Sequence, residues 1–157
     1  MKDESCSSVT KTALISVLYV SSATANFTDE QLIDFLRSWR DHNSERHITG
    51  FLLYEKGNFI QVLEGPESDT NHLVDSIQSD SRNKGMIILW RRAITEREFS
   101  TWCMGFQKVS ELTPEDQRTF SSLLEDATQE ENFRNHPGSS HKMLAQFKSV
   151  CLREYQL

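Results

Sequence analysis

Tyr19 and Gln61 carry polar groups inside otherwise apolar stretches of this chain, and Asn43 carries one at the end of an apolar helical stripe. Gln61 stands in Asn58-Phe59-Ile60-Gln61-Val62-Leu63-Glu64-Gly65. Residues two apart in a strand share a face, so Gln61 points with Phe59 and Leu63, while Ile60 and Val62 make the opposite face apolar too. A primary amide has two N–H donors and a carbonyl acceptor, and burying it without partners is costly. Gln61 therefore demands a hydrogen-bonding neighbour. Tyr19 lies in the apolar run Ala13-Leu14-Ile15-Ser16-Val17-Leu18-Tyr19-Val20 and shares a face with Ile15 and Val17. Its phenol can donate a hydrogen bond, a proton or one electron. Asn43, with His42 beside it, continues the spacing of Leu32, Phe35, Leu36 and Trp39. That spacing is helical and puts both polar residues at the C-terminal end of a core-facing side.

The elements that must position these groups follow from local signals. Ile48-Thr49-Gly50-Phe51-Leu52-Leu53-Tyr54 and the Gln61 stretch flank Glu55-Lys56-Gly57, the pattern of a β-hairpin. The helix before it has Thr28 as cap, Gln31 to complete a capping box and Phe27 to staple onto Leu32. A second helix is expected over 67–79 with Leu73, Val74 and Ile77 inward, and then a polar loop over 80–85. Ala13–Val20 reads as a strand ending in a loop over 21–26, Met86–Trp90 as a strand at the sheet centre, and Trp102–Phe106 as a short last strand. Thr113-Pro114-Glu115-Asp116 starts a further helix reaching about Ala127, and Met143, Leu144, Phe147, Val150 and Cys151 stripe a last one over 141–154. The expected fold is α/β of the α+β kind: a ferredoxin-like β-α-β-β-α-β-β sheet with two helices on one face, plus two C-terminal helices.

Composition narrows the function. The chain has 157 residues, a formal net charge of −6, 37% hydrophobic and 25% charged residues, which suits one domain of ordinary size. An acidic balance disfavours nucleic acid as a partner, because phosphates need clustered Lys and Arg, and Arg91-Arg92 is too short a cluster. No 18-residue apolar run predicts a membrane span, and the first residues lack a signal-peptide core. Cys6, Cys103 and Cys151 are odd in number and widely spaced, and His72, His136 and His141 have no partners at metal spacing. A cytoplasmic protein without a metal is expected.

At this point the motifs resemble those of the BLUF domain, a flavin-based blue-light sensor. The resemblance is carried by Leu18-Tyr19-Val20-Ser21-Ser22, His42-Asn43, the two hairpin strands, Asp80-Ser81-Arg82 and Arg97-Glu98-Phe99-Ser100-Thr101-Trp102-Cys103-Met104. It implies a tail over 1–12, a flavin-binding photosensor over 13–108 and a helical extension over 109–157. It also implies non-covalent FAD held between the two helices. Asn43 would bind the polar edge of the ring with His42 beside it, Phe35 and Ile77 would flank it, and Asp80 and Arg82 would take the ribityl or phosphate portion. Tyr19 would be the electron and proton donor, Gln61 the switching amide, and either Trp102 or Met104 would approach the flavin. The family often has His where Asn83 stands and Gly where His47 stands. Trp39 is expected in the core rather than at the cofactor. Residues 109–157 are too few for a cyclase or phosphodiesterase, so the resemblance implies no enzyme, and output by contact with a downstream signalling protein, with a homo-oligomer expected. A light-insensitive interaction module or a flavin redox enzyme are the alternatives.

Overall fold

The computed structural model describes residues 12–100 and 103–128. Among these, five strands form one sheet: β1 (Leu14–Ala23), β2 (Thr49–Glu55), β3 (Asn58–Pro66), β4 (Asn83–Ile94) and β5 (Gly105–Lys108). Helix α1 (Asp29–Glu45) follows β1 and α2 (Glu67–Ser79) follows β3. A 3-10 turn, Val109–Glu111, leads from β5 to α3 (Pro114–Thr128). The strands lie in the order β4-β1-β3-β2-β5. All neighbours are antiparallel except β2 and β5, which run parallel. This is the expected ferredoxin-like order on a mixed sheet.

Short-range chemistry accounts for the element ends. At α1, Gln31 N donates to Thr28 Oγ1 at 3.2 Å and Thr28 N donates to Gln31 Oε1 at 3.0 Å, a complete capping box. The hairpin turns through Lys56 at φ 45° and Gly57 at φ 81°. Two left-handed residues in succession match the twist of the flanking strands, so a two-residue turn suffices. At α3, Asp116 N donates to Thr113 Oγ1 at 3.2 Å.

Period-two alternation divides the core between the two sheet faces. Ile15, Val17, Tyr19, Leu52, Phe59 and Leu63 point to the face covered by Leu32 and Leu36 of α1 and Val74 of α2. Leu18, Val20, Phe51, Leu53, Ile60 and Val62 point to the other, where they meet Trp90, Phe99, Val109 and Leu112. Val109 and Leu112 are 2% and 6% exposed, so the boundary expected at residue 108 leaves two core side chains on its far side.

Three strands differ from expectation. β1 runs on to Ala23, through residues read as loop. β4 spans twelve residues rather than five, and it is an edge strand, not a central one. Its polar ends, Asn83-Lys84-Gly85 and Arg91-Arg92, conceal the strand from an apolar-run reading, and charges on an edge oppose unwanted pairing. β5 begins at Gly105, and Cys103 and Met104 form a bend before it. Gly105 pairs with Phe51, and a Cβ at Gly105 would lie 2.2 Å from Phe51 Cδ2, so this position takes only a glycine. Trp102, the tail over 1–11 and the helix expected over 141–154 lie outside the described residues.

Candidate functional site

Tyr19 and Gln61 are direct partners in the β1–β3 register. Such partners project to the same face, so phenol and amide meet beneath the two helices. Tyr19 Oη donates to Gln61 Oε1. At the other end of the amide, Nε2 donates to Met104 Sδ at 3.2 Å. The three residues are 3%, 6% and 3% exposed, respectively. Burial pushes the Tyr19 phenol well above its ordinary pKa, so the proton stays on the oxygen throughout the physiological range.

Met104 reaches this pair because the chain before β5 is fastened at several points. Glu64, 1% exposed, accepts from Glu98 N at 3.1 Å and Phe99 N at 3.0 Å. Burial raises the Glu64 pKa, and these two N–H groups oppose the rise. Arg97 Nη1 donates to Thr49 Oγ1 and to the Glu64 carbonyl, each at 2.9 Å, and Nη2 donates to the His47 carbonyl at 2.6 Å. Helix α1 supplies two further fasteners. Asn43 Nδ2 donates to the Cys103 carbonyl at 2.8 Å, and Arg40 Nε donates to the Met104 carbonyl at 3.0 Å.

A cavity of about 230 Å³ opens over the Tyr19 face between α1 and α2. Tyr19, Phe35, His42, Asn43, Gln61, Ile77, Asp80, Arg82 and Met104 all line it, so every described residue expected at the site is brought together there. Asn43 is 3% exposed; one Nδ2 hydrogen is committed to Cys103, which leaves Oδ1 and the second Nδ2 hydrogen to offer the cavity. His42 is exposed, and its Nδ1 donates to the Ser38 carbonyl at 2.7 Å. Arg82 and Asp80 form an ion pair at 2.6 Å, which holds the Asp80 carboxyl below its ordinary pKa. The Arg82 guanidinium also lies 4.6 Å from the Phe35 ring centroid. Asn83, where the resemblance leads one to look for His, donates from Nδ2 to the Ile77 carbonyl at 3.2 Å and so closes the end of α2.

Trp39 packs against the core of the helix-covered face, as expected, and also borders the cavity. Its ring stacks on Phe35 at 5.7 Å between centroids. Its place in the stripe between Phe35 and Asn43 was the signal that could have found it. Phe27 also lines the cavity, edge-on to Phe35 at 5.1 Å, in addition to the stapling role read from its position before the helix. Arg40 left no trace in an apolar-stripe reading, since it is exposed and acts on a backbone atom.

The cavity suits a planar aromatic group with one polar edge. Phe35 and Ile77 provide apolar walls from opposite helices, while Asn43 and Gln61 present amides at the sheet end. A flavin ring has that division, and its N–H and C=O edge groups match an amide that both donates and accepts.

Comparison with known proteins bears on this geometry. BLUF, described as "Sensors of blue-light using FAD", matches residues 14–105. The photoactivated adenylate cyclase subunit alpha of Euglena gracilis is 33% identical over 88 residues, 56% of this chain and 9% of that protein. The beta-like protein FB of the same organism is 30% identical over 101 residues, 64% of this chain and 12% of that one. The chain thus spans about a tenth of the length of the curated relatives it matches. Among solved structures, the dark state of BlrB, a BLUF protein, superposes with a TM-score of 0.68 at 25% identity, covering 88% of this chain and 94% of that one. A bacterial light-regulated adenylyl cyclase gives 0.66 at 27% identity, over 85% of this chain and 36% of that one. With the buried phenol–amide pair lining a cavity between the two helices, and the match running from the first strand to the start of the last, the chain belongs to the BLUF family of blue-light sensors.

Proposed function

We propose that this chain binds FAD non-covalently between α1 and α2 and converts blue light into a rearranged hydrogen-bond network at Tyr19, Gln61 and Met104. The observation that carries the reading is the buried chain of contacts from the Tyr19 phenol through the Gln61 amide to the Met104 sulfur. When bound, the flavin absorbs the light and accepts an electron. Tyr19 gives that electron with its proton and takes both back, so the phenol ends each cycle unchanged. Gln61 is the group that remembers. Its Oε1 and one Nε2 hydrogen are engaged within the protein, and the second Nε2 hydrogen remains for the ring edge. Rotation or tautomerisation exchanges donor and acceptor ends, and in a dry site one altered bond is energetically significant. A stronger hydrogen bond from Gln61 to the bound flavin would shift its absorption to the red.

Asn43 holds the ring edge with His42 beside it, Phe35, Trp39 and Ile77 flank the ring, and Arg82, oriented by Asp80, faces the ribityl or phosphate portion. The photosensor unit extends from residue 13 through Leu112, because Val109 and Leu112 complete its second core. The chain is not itself an enzyme in this reading. Output passes by contact to a downstream signalling protein, from a cytoplasmic homo-oligomer with α3 as transmitter. Among the described residues, no helix is long and apolar enough to cross a membrane.

Absorption spectroscopy tests the proposal. The purified chain, offered FAD and FMN separately, should bind FAD and show a reversible red shift under blue light. Tyr19→Phe and Gln61→Leu should each keep the flavin and lose the shift. Flavin without a shift in the native chain would favour an interaction module, and stable photoreduction with substrate turnover a redox enzyme.

A further inference from the structure

β5 is four residues long, lies at the sheet edge and pairs only with β2 among the described strands. So short an edge strand has little backbone pairing to fix its position. Just ahead of it, the chain bends at Cys103 and Met104. Successive carbonyls of an extended strand point in opposite directions, but here the bend delivers both to the same helix. Asn43 takes the Cys103 carbonyl at 2.8 Å and Arg40 takes the Met104 carbonyl at 3.0 Å. Residues three apart on a helix are neighbours, so Arg40 and Asn43 form a two-pronged clip on one face of α1. The residue whose carbonyl Arg40 holds is the one whose sulfur accepts from Gln61.

We propose that Arg40 is a positioning residue for the light switch: by holding the Met104 carbonyl it keeps the Met104 sulfur against Gln61 and sets the rate at which the lit state returns to dark. The inference rests on the photosensor reading. Rotation of the Gln61 amide must displace its sulfur partner within a packed site, and a Met104 held at its own backbone yields less readily. Without the Arg40 prong the wall loosens and the amide passes it faster. Arg40 is exposed and outside both cores, so its removal leaves the packing intact.

Cys103, half-buried and adjacent, reports on the clip directly. In the dark, flavin-loaded chain, N-ethylmaleimide labelling of Cys103, followed by peptide mass spectrometry, should be roughly threefold faster in Arg40→Ala than in the native chain. The red shift should keep its size, and dark recovery should be about fivefold faster, the size expected for losing one ordinary net hydrogen bond at an exposed side chain. Arg40→Lys, which keeps a cationic donor, should fall between. Should Arg40→Ala fail to hold flavin, Arg40→Met, which keeps the stem and removes the donor, carries the same expectations. Cys103 labelling or recovery within about twofold of native, with the native red shift present, overturns the role of Arg40 alone. A native chain that binds flavin and shows no red shift overturns the photosensor reading together with it.

Discussion

An amide suits a switch because its two ends are nearly isosteric and chemically opposite, and Gln61 has both ends engaged across a sheet face. Asn43 is an amide with a different role. One hydrogen of its Nδ2 is committed to the Cys103 carbonyl, and Oδ1 with the second hydrogen remains to meet a ligand. Asn43→Ala should therefore weaken both. FAD affinity should fall by about 1–3 kcal/mol with the fold retained, as read by flavin titration and circular dichroism. Tyr19 makes a separate prediction through its pKa, raised from an ordinary 10.0 by burial. Below that value both folded and unfolded chains carry a neutral phenol, and Tyr19 contributes no pH dependence. Above it the unfolded chain loses the proton while the folded chain keeps it, so stability falls as pH rises, by about 1.4 kcal/mol per pH unit. Urea melts at about pH 9 and about pH 11 should show a shallower alkaline loss in Tyr19→Phe than in the native chain.

At the scale of elements, what could be read from sequence follows the strength of local signals. The capping box of α1, the hairpin and the stripe of α2 were legible because each is set by neighbours in the chain. The extent of β4 was not, because its ends take their structure from β1 across a register that shifts between Leu18 and Tyr19 and again between Val20 and Ser22. β5 was misplaced for a similar reason: its extent is set by pairing with Phe51–Tyr54 of β2, far away in sequence. The phenol–amide pair was legible, since alternation alone puts each on an inward face. The fasteners of Met104 were not, because Arg40, Arg97 and Asn43 bind backbone carbonyls, which have no sequence signature. His47 lies on the edge between the two cases. Its φ is 56°, a left-handed conformation that costs a residue with a Cβ and that a glycine adopts without that cost. His47→Gly should stabilise the chain by about 1 kcal/mol in urea unfolding. Glu64→Ala should act in the other direction, by about 2–4 kcal/mol, because it removes the carboxylate that holds Glu98 and Phe99.

For the whole molecule, the second core decides where the chain can be cut. Ending it after Lys108 discards Val109 and Leu112, each worth about 1.5–3 kcal/mol of burial, whereas ending it after Thr128 keeps both. The shorter form should show a markedly lower urea midpoint than the longer one. The position of the switch pair has a mechanical consequence. Tyr19 and Gln61 sit mid-strand on β1 and β3, each with a neighbour on both sides, so the sheet backbone acts as a rigid jig for their contact. Met104 hangs from a four-residue strand at the rim, the compliant part of the same device. Stiffness and compliance should then separate two properties of the light response. Urea well below the unfolding midpoint loosens rims before it loosens sheet interiors. It should accelerate dark recovery progressively while leaving the amplitude of the red shift unchanged, since the amplitude depends on the part that the sheet does not let move.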